Sequence, residues 1–515
     1  MNYLNIIRKP AVWLVFITSM SISPGCKETI EDISINPNRS VYANPENLLT
    51  TLSISAFGPD FYSITRYMDV YMMDNRFGGY HLSRDRGGFT GEYRQMTIAG
   101  DMIAAAERKS QPAYIPLGTF FKAWHVFNVT RLFGDVPYSE ANKIHEGISL
   151  PKYDKQEDII ATILTELAEA NTQLAALENT AKVSGDIIYN GDLKKWRKLI
   201  NTFRLRVLIN CSTQQNINGQ SVAAQFAAIV NDPAGNPIMT KLDESPIRYE
   251  DGNPQNYVYY SDNNFLSSYR ITQFVAEYMK DRNDYRLTVF AQPTIHAESI
   301  NADPMDLNNY IGNDPFPNLQ NNINYQLEST KKVSRLNKRY YGNPIGPPTM
   351  AIGYPEQQFI LAEAALRGWI GGSADAFFEE GIKASFGYFG VGDRAALYLA
   401  TPGVKLTGTN SAKLKQIITE KYFNFFMQGG YEPYFELIRT GYPDFKEYLT
   451  PDISTLYNSG RLPLRYLYPL GEITNNQNSV SVAVSRLNLG DNIFSKSWWI
   501  QGTDPLRNPD PFPYQ

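Results

Sequence analysis

Three stretches of the chain set aromatic rings among side chains that hydrogen-bond to hydroxyls. Phe77, Tyr80, Phe89 and Tyr93 stand among Gly78, Gly79, Gly87, Gly88 and Gly91, with Asn75 and Arg76 just before them. Tyr257, Tyr259, Tyr260, Phe265 and Tyr269 form a second group beside Asn256, Asp262 and Asn263, and Tyr310, Phe316 and Tyr325 form a third. No helical or alternating spacing runs through the first group, so not all of its rings belong to a core. An aromatic face stacks on the C–H face of a pyranose ring, while amide, carboxylate and guanidinium groups take up its hydroxyls. The candidate ligand contacts are therefore Asn75, Arg76, Phe77, Tyr80, Tyr93, Tyr257, Tyr259, Tyr260, Asp262, Phe265, Tyr310 and Phe316. For each ring, burial by packing or at a protein interface is the competing reading.

Catalytic signatures are present only in broken form. Gly403 to Gly408 has phosphate-loop spacing, but Thr409 and Asn410 follow where lysine is required. Gly390-Val391-Gly392-Asp393-Arg394-Ala395 fits the loose dinucleotide pattern, yet it follows a helical stretch and not a strand. His145-Glu146 has Ser149 where a zincin needs its second histidine. His81, His125, His145 and His296 are scattered, which suits surface or satisfied core histidines better than ligands. Asp303, Asp306, Asn308 and Asp314 lack calcium-loop spacing and read as turn caps. A carboxylate pair for glycoside hydrolysis stays open, because 52 acidic residues offer no pair by spacing alone. The expectation is a protein without cofactor or metal.

The elements that must carry these residues begin after a leader. Arg8 and Lys9 precede the apolar run Ala11 to Ile17 in Met1–Ile22, which is too short to span a bilayer and reads as a signal peptide. Ser23-Pro24-Gly25-Cys26 then places a small residue before cysteine, as lipoprotein processing requires, so residues 1–25 are expected to be removed and Cys26 to be acylated. Residues 26–44 read as a tether and 45–515 as one domain. Acylation of Cys26 leaves Cys211 alone, so packing must hold the fold without a disulfide framework. A net charge of -4 argues against nucleic acid as a partner.

Helical periodicity predicts helices over 46–57, 59–73, 94–107, 113–132 and 155–177, the last opened by a capping box of Asp154 and Glu157. Ile187-Ile188-Tyr189 before Asn190-Gly191 suggests a short strand and turn, followed by an amphipathic helix from Trp196 to Val207. Residues 237–348 are rich in Asn, Asp, Pro and Tyr and read as long loops around a helix at 270–280. Helices resume over 357–369, 374–386 and 412–427. Residues 362–384 resemble a tetratricopeptide hairpin, with Ala364, Ala365 and Gly368 allowing close approach; an unrelated hairpin is the alternative.

Leu132-Phe133-Gly134-Asp135-Val136-Pro137-Tyr138-Ser139-Glu140-Ala141 resembles the hallmark of the SusD/RagB outer-membrane lipoproteins. Gly191 to Trp196 leading into Asn201 and Arg206, and Tyr354-Pro355-Glu356 leading into Glu363 and Arg367, fit the same pattern. Arg439 to Pro443 and Arg465 to Pro469, with Glu472 and Asn475, complete it, and Lys27-Glu28 is similar to the family's acidic export signal. The resemblance implies a mainly α fold of tetratricopeptide-like helix pairs under an irregular ligand face with a few short strands. It also implies non-catalytic nutrient capture at the cell surface and delivery to a SusC-like TonB-dependent barrel. The expected ligand is a glycan, with an oligopeptide or a surface glycoside hydrolase as alternatives. A helical-repeat adaptor that binds only protein is a further reading. The hallmark residues themselves read as a turn after a helix.

Overall fold

The computed structural model describes residues 43–59, 72–73, 88–244, 246–252, 256–262, 270–313, 332–445 and 463–508. Cys26, Asn75, Arg76, Phe77, Tyr80, His81, Phe265, Asp314 and Phe316 lie outside the described residues, as does most of the helix expected over 59–73. The last two residues of that expected helix, Met72–Met73, form a strand instead, because they pair with Arg270–Ile271.

Helices α1 (Pro45–Phe57), α2 (Thr90–Arg108), α3 (Tyr114–Phe133), α4 (Gln156–Leu177) and α5 (Leu193–Asn210) pack each on the next. Strand β1 (Met72–Met73) lies between α1 and α2 in sequence, and the β2 (Asn216–Ile217) and β3 (Gln220–Ser221) ladder leads into α6 (Val222–Val230). Within residues 237–348 stand β4 (Arg270–Ile271), α7 (Gln273–Asp281) and the short α8 (Leu287–Phe290) and α9 (Ile295–Ser299). A second helical group contains α10 (Tyr354–Leu366), α11 (Ala374–Phe389), α12 (Ala395–Ala400), α13 (Asn410–Asn424) and α14 (Glu432–Thr440). The two short helices α15 (Leu470–Asn475) and α16 (Gln477–Ser485) follow. The groups join where α10 packs on α5. The architecture is thus mainly α with little strand, as the sequence predicts.

Most of α3 is buried, and its aromatic residues form the centre of the first group. Phe120 and Trp124 lie 5.6 and 5.1 Å from Phe203 of α5, and Phe120 meets Trp196 at 5.7 Å. Such edge and tilted pairs combine large apolar burial with favourable quadrupole geometry. The α10–α11 hairpin is the tetratricopeptide-like unit, but its close approach falls elsewhere than expected. A side chain on Gly381 of α11 would come within 2.7 Å of the Phe359 ring, whereas Gly368 has φ +72° and serves the turn after α10.

Two local expectations fail for the same reason, an aspartate with better partners than those assumed. Asp154 does not cap α4: its carboxylate accepts the Tyr138 and Ser139 backbone N–H groups at 2.9 and 2.7 Å. Asp135 takes the Gln156 N–H at 2.8 Å and so serves α4 in its place. Residues 187–189 form a turn and not a strand, because Asp186 collects the N–H groups of Ile188, Tyr189 and Gly191 together with the Trp196 indole.

The motif residues form an interior of paired charges. Arg131 lies between the rings of Phe127 and Phe435, at 4.0 and 3.8 Å, and pairs with Glu432. Arg206 pairs with Glu356 at 2.5 Å, and Arg439 with Glu363 at 2.6 Å. In the hallmark turn Gly134 takes φ +93°, Arg465 donates to Phe133 O, and the Tyr468 hydroxyl donates to Asp135 O at 2.8 Å. The hallmark therefore clamps the end of α3 to the C-terminal segment, the turn role expected of it.

One carboxylate is placed to titrate near neutrality. Glu244 accepts the Tyr354 N–H at the start of α10 at 3.0 Å; burial pushes its pKa up to about 7, partly offset by that hydrogen bond and by Lys241. A raised carboxyl pKa means that the folded chain holds the proton more tightly than the unfolded chain. Its contribution to stability is full below about pH 4.5 and is lost as pH rises through about 7. Glu244→Gln should flatten the dependence of urea midpoint on pH between these values, by up to about 3 kcal/mol. An unchanged slope would show that Glu244 does not carry it.

Candidate functional site

The ends of the first two aromatic stretches meet on one short ladder. In the antiparallel pairing of β1 with β4, Met73 is the partner of Arg270. In sequence, Arg76, Phe77 and Tyr80 follow Met73, and Phe265 precedes Arg270. A second tie lies at the stem of the first stretch, where the Tyr259 hydroxyl donates to Pro59 O at 3.3 Å. The third stretch is anchored alongside, with Asn313 bridged to Thr272.

Residues 256–262 form a turn pinned to 341–346. The Tyr257 N–H donates to Pro344 O at 2.6 Å, and the Ser261 N–H, at φ +62°, donates to Tyr341 O at 2.9 Å. This geometry separates rings that sequence alone could not separate. Tyr257 is 1% exposed: Tyr249 and Tyr259 meet it edge-on at 5.1 and 5.6 Å, and a side chain on Gly346 would strike its ring. Burial, with the neighbouring tyrosines, raises its hydroxyl pKa well above the ordinary value. Tyr260 turns outward and is 40% exposed, with Asp262 half-buried nearby in sequence.

Tyr257, Tyr259 and Tyr310 are thus core residues, a correction to their expected place on a ligand face. A stacking sugar needs an open ring face, and these rings are covered. Tyr310 spends its hydroxyl on Pro304 O at 2.9 Å. Tyr93 is also committed elsewhere: its ring packs on Phe89 at 5.5 Å and its hydroxyl donates to Pro137 O in the hallmark turn. Asp303 and Asp306 cap turns through the Met305 and Asn308 N–H groups, as expected. Gly390, of the loose dinucleotide pattern, ends α11 in a left-handed conformation.

A polar cavity of about 240 Å3 opens between the stems of the first stretch. Its walls come from the end of α1 at Gly58, the start of α2 at Glu92 and Gln95, and His125 and Asn128 of α3. Tyr431 and Glu432 close it from the second helical group. Both carboxylates in this wall are engaged. Glu92 is bound to His125 Nδ1, and Glu432 to Arg131. Burial alone would raise the Glu432 pKa, but Arg131 and Arg206 outweigh it and hold the group at about 2. The buried Nε2 of His125 and Oε1 of Gln95 have no hydrogen-bond partner among the described residues. Sequence reasoning missed this cavity because its walls come from five separated segments.

A stack of helix pairs with a polar cavity between them is an architecture that can hold a ligand. The chain belongs to the SusD-like family, described as starch-binding and associating with the outer membrane, whose pattern it matches over residues 38–469. It is similar to a SusD homologue of Bacteroides fragilis at 33% identity, with 90% of this chain and all of that one covered and a TM-score of 0.78. An outer-membrane protein of Bacteroides vulgatus, described as involved in nutrient binding, is 32% identical over 89% of this chain and all of its own, with a TM-score of 0.80. A chitin-binding protein is 26% identical over 89% of this chain and 100% of its own, with a TM-score of 0.71. No curated protein matches the chain.

Proposed function

We propose that this chain captures a glycan at the bacterial cell surface without altering it, and passes it to a SusC-like TonB-dependent barrel in the outer membrane. The observation that carries the reading is the pairing of Met73 with Arg270. In sequence, Phe77 is four residues beyond one and Phe265 five before the other. The proposed ligand face is therefore Asn75, Arg76, Phe77, Tyr80, Tyr260, Asp262 and Phe265, with Phe316 entering from the third stretch. The chitin-binding relative favours a glycan over an oligopeptide. Capture without hydrolysis is favoured because the two carboxylates in the cavity wall are tied to His125 and Arg131, where a retaining or inverting glycosidase needs a free pair. Retention on insoluble chitin or starch tests the reading; recovery of all the protein in the supernatant, with both polysaccharides, would count against it.

Anchoring through Cys26 belongs to the same proposal. Among the described residues no helix is long and apolar enough to cross a membrane, so a lipid on Cys26 would be what holds this body at the surface. Cys26→Ala should convert a membrane-bound product into a soluble one of unchanged melting temperature. Membrane association that survives a carbonate wash of this variant would contradict the anchor.

A further inference from the structure

A second cavity, of about 540 Å3, lies where the hallmark turn meets α2 and α4, and it shares no lining residue with the first. Its volume falls within the range of small-molecule pockets, roughly 300 to 1,000 Å3. Tyr138 stands in its wall, held by a hydrogen bond from its hydroxyl to Glu166 and from its N–H to Asp154 at 2.9 Å. Lys122 has no ion pair among the described residues; its Nζ lies 5.8 Å from the centre of the Tyr138 ring. Asp101, exposed on α2 at the same cavity, makes no hydrogen bond or ion pair among the described residues. The cavity thus offers a donor held over a fixed ring and an exposed acceptor.

The charges in the wall select the class of guest. Asp101, Asp154, Asp158 and Glu166 oppose an anion, while Lys122 and Lys143 oppose a cation. A neutral polyol meets neither penalty: its hydroxyls can donate to Asp101 and accept from Lys122. We propose that this cavity is a second saccharide subsite, taking a neutral sugar unit apart from the ligand face around Tyr260. This rests on the glycan reading above.

The test is calorimetric titration of the chain from residue 27 with N-acetylchitohexaose and with maltoheptaose. Thr162 is exposed on α4 at the cavity, so Thr162→Trp places an indole there without touching the core. Two sites are expected on the unaltered chain and one on Thr162→Trp or Asp101→Ala, with melting temperatures unchanged. A stoichiometry and affinity that Thr162→Trp leaves as they were would overturn the subsite while leaving capture intact. A single site that Thr162→Trp abolishes would support this cavity and overturn the ligand face placed around Tyr260. No binding of either probe by the unaltered chain would overturn the glycan reading and the subsite with it.

Discussion

Arg439→Ala is expected to lower the free energy of unfolding by about 3 to 5 kcal/mol, enough to leave much of the chain unfolded at modest urea. Arg439 is fully buried, and its guanidinium donates to Glu363 at 2.6 and 2.8 Å, to Ser212 Oγ at 2.8 Å and to Glu436. Burial by itself would raise the Glu363 pKa, but Arg439, with Arg367, reverses this and holds the group at about 2. Removing Arg439 leaves Glu363 and Glu436 buried with less compensation, and the cost comes chiefly from those stranded charges. The comparison that isolates this is the double variant Arg439→Met with Glu363→Met, which should recover part of the loss. A urea midpoint shifted by the equivalent of less than ~1 kcal/mol in Arg439→Ala would mean that water reaches this network and screens it.

The neighbouring tyrosines of the 256–262 turn should respond in opposite ways. Tyr257→Ala opens a cavity beneath Tyr249 and Gly346, and large aromatic truncations in a core cost about 3 to 5 kcal/mol. Its melting temperature should fall, and any ligand loss should follow the unfolding. Tyr260→Ala removes an exposed ring and should leave the melting temperature within error, while affinity for the captured glycan falls roughly tenfold, about 1.4 kcal/mol. Thermal melts and titrations on both variants check the pair. A destabilised Tyr260→Ala, or a stable Tyr257→Ala that binds less, would reverse the assignment.

The helices were legible because their signal is local. Ile160, Ile163, Leu164 and Leu167 repeat at helical spacing, and α4 spans the predicted stretch to within a residue. The motifs were legible in order, but their physical meaning was not. Arg206 and Glu356 stand 150 positions apart, so no spacing rule could reveal that they form one buried pair. The aromatic clusters failed in part for the same reason. Tyr257 and Tyr260 are three residues apart in equally polar sequence, and what separates them is the 341–346 segment, which supplies backbone carbonyls and a glycine that only folding brings there. The glycines around Tyr93 suggest a ligand-facing ring, yet its hydroxyl's partner is a carbonyl of the hallmark turn. An isolated sequence shows which rings lack periodicity and leaves open which of them the fold will cover.

The most direct test of the central claim is calorimetric titration of the chain from residue 27 with soluble polysaccharides and peptide digests, followed by product analysis of the same mixtures. Capture predicts saturable binding of a glycan whose chain length is unchanged after prolonged incubation. Shortened products would contradict it and point to an enzyme, and saturable binding of peptides alone would contradict the glycan assignment.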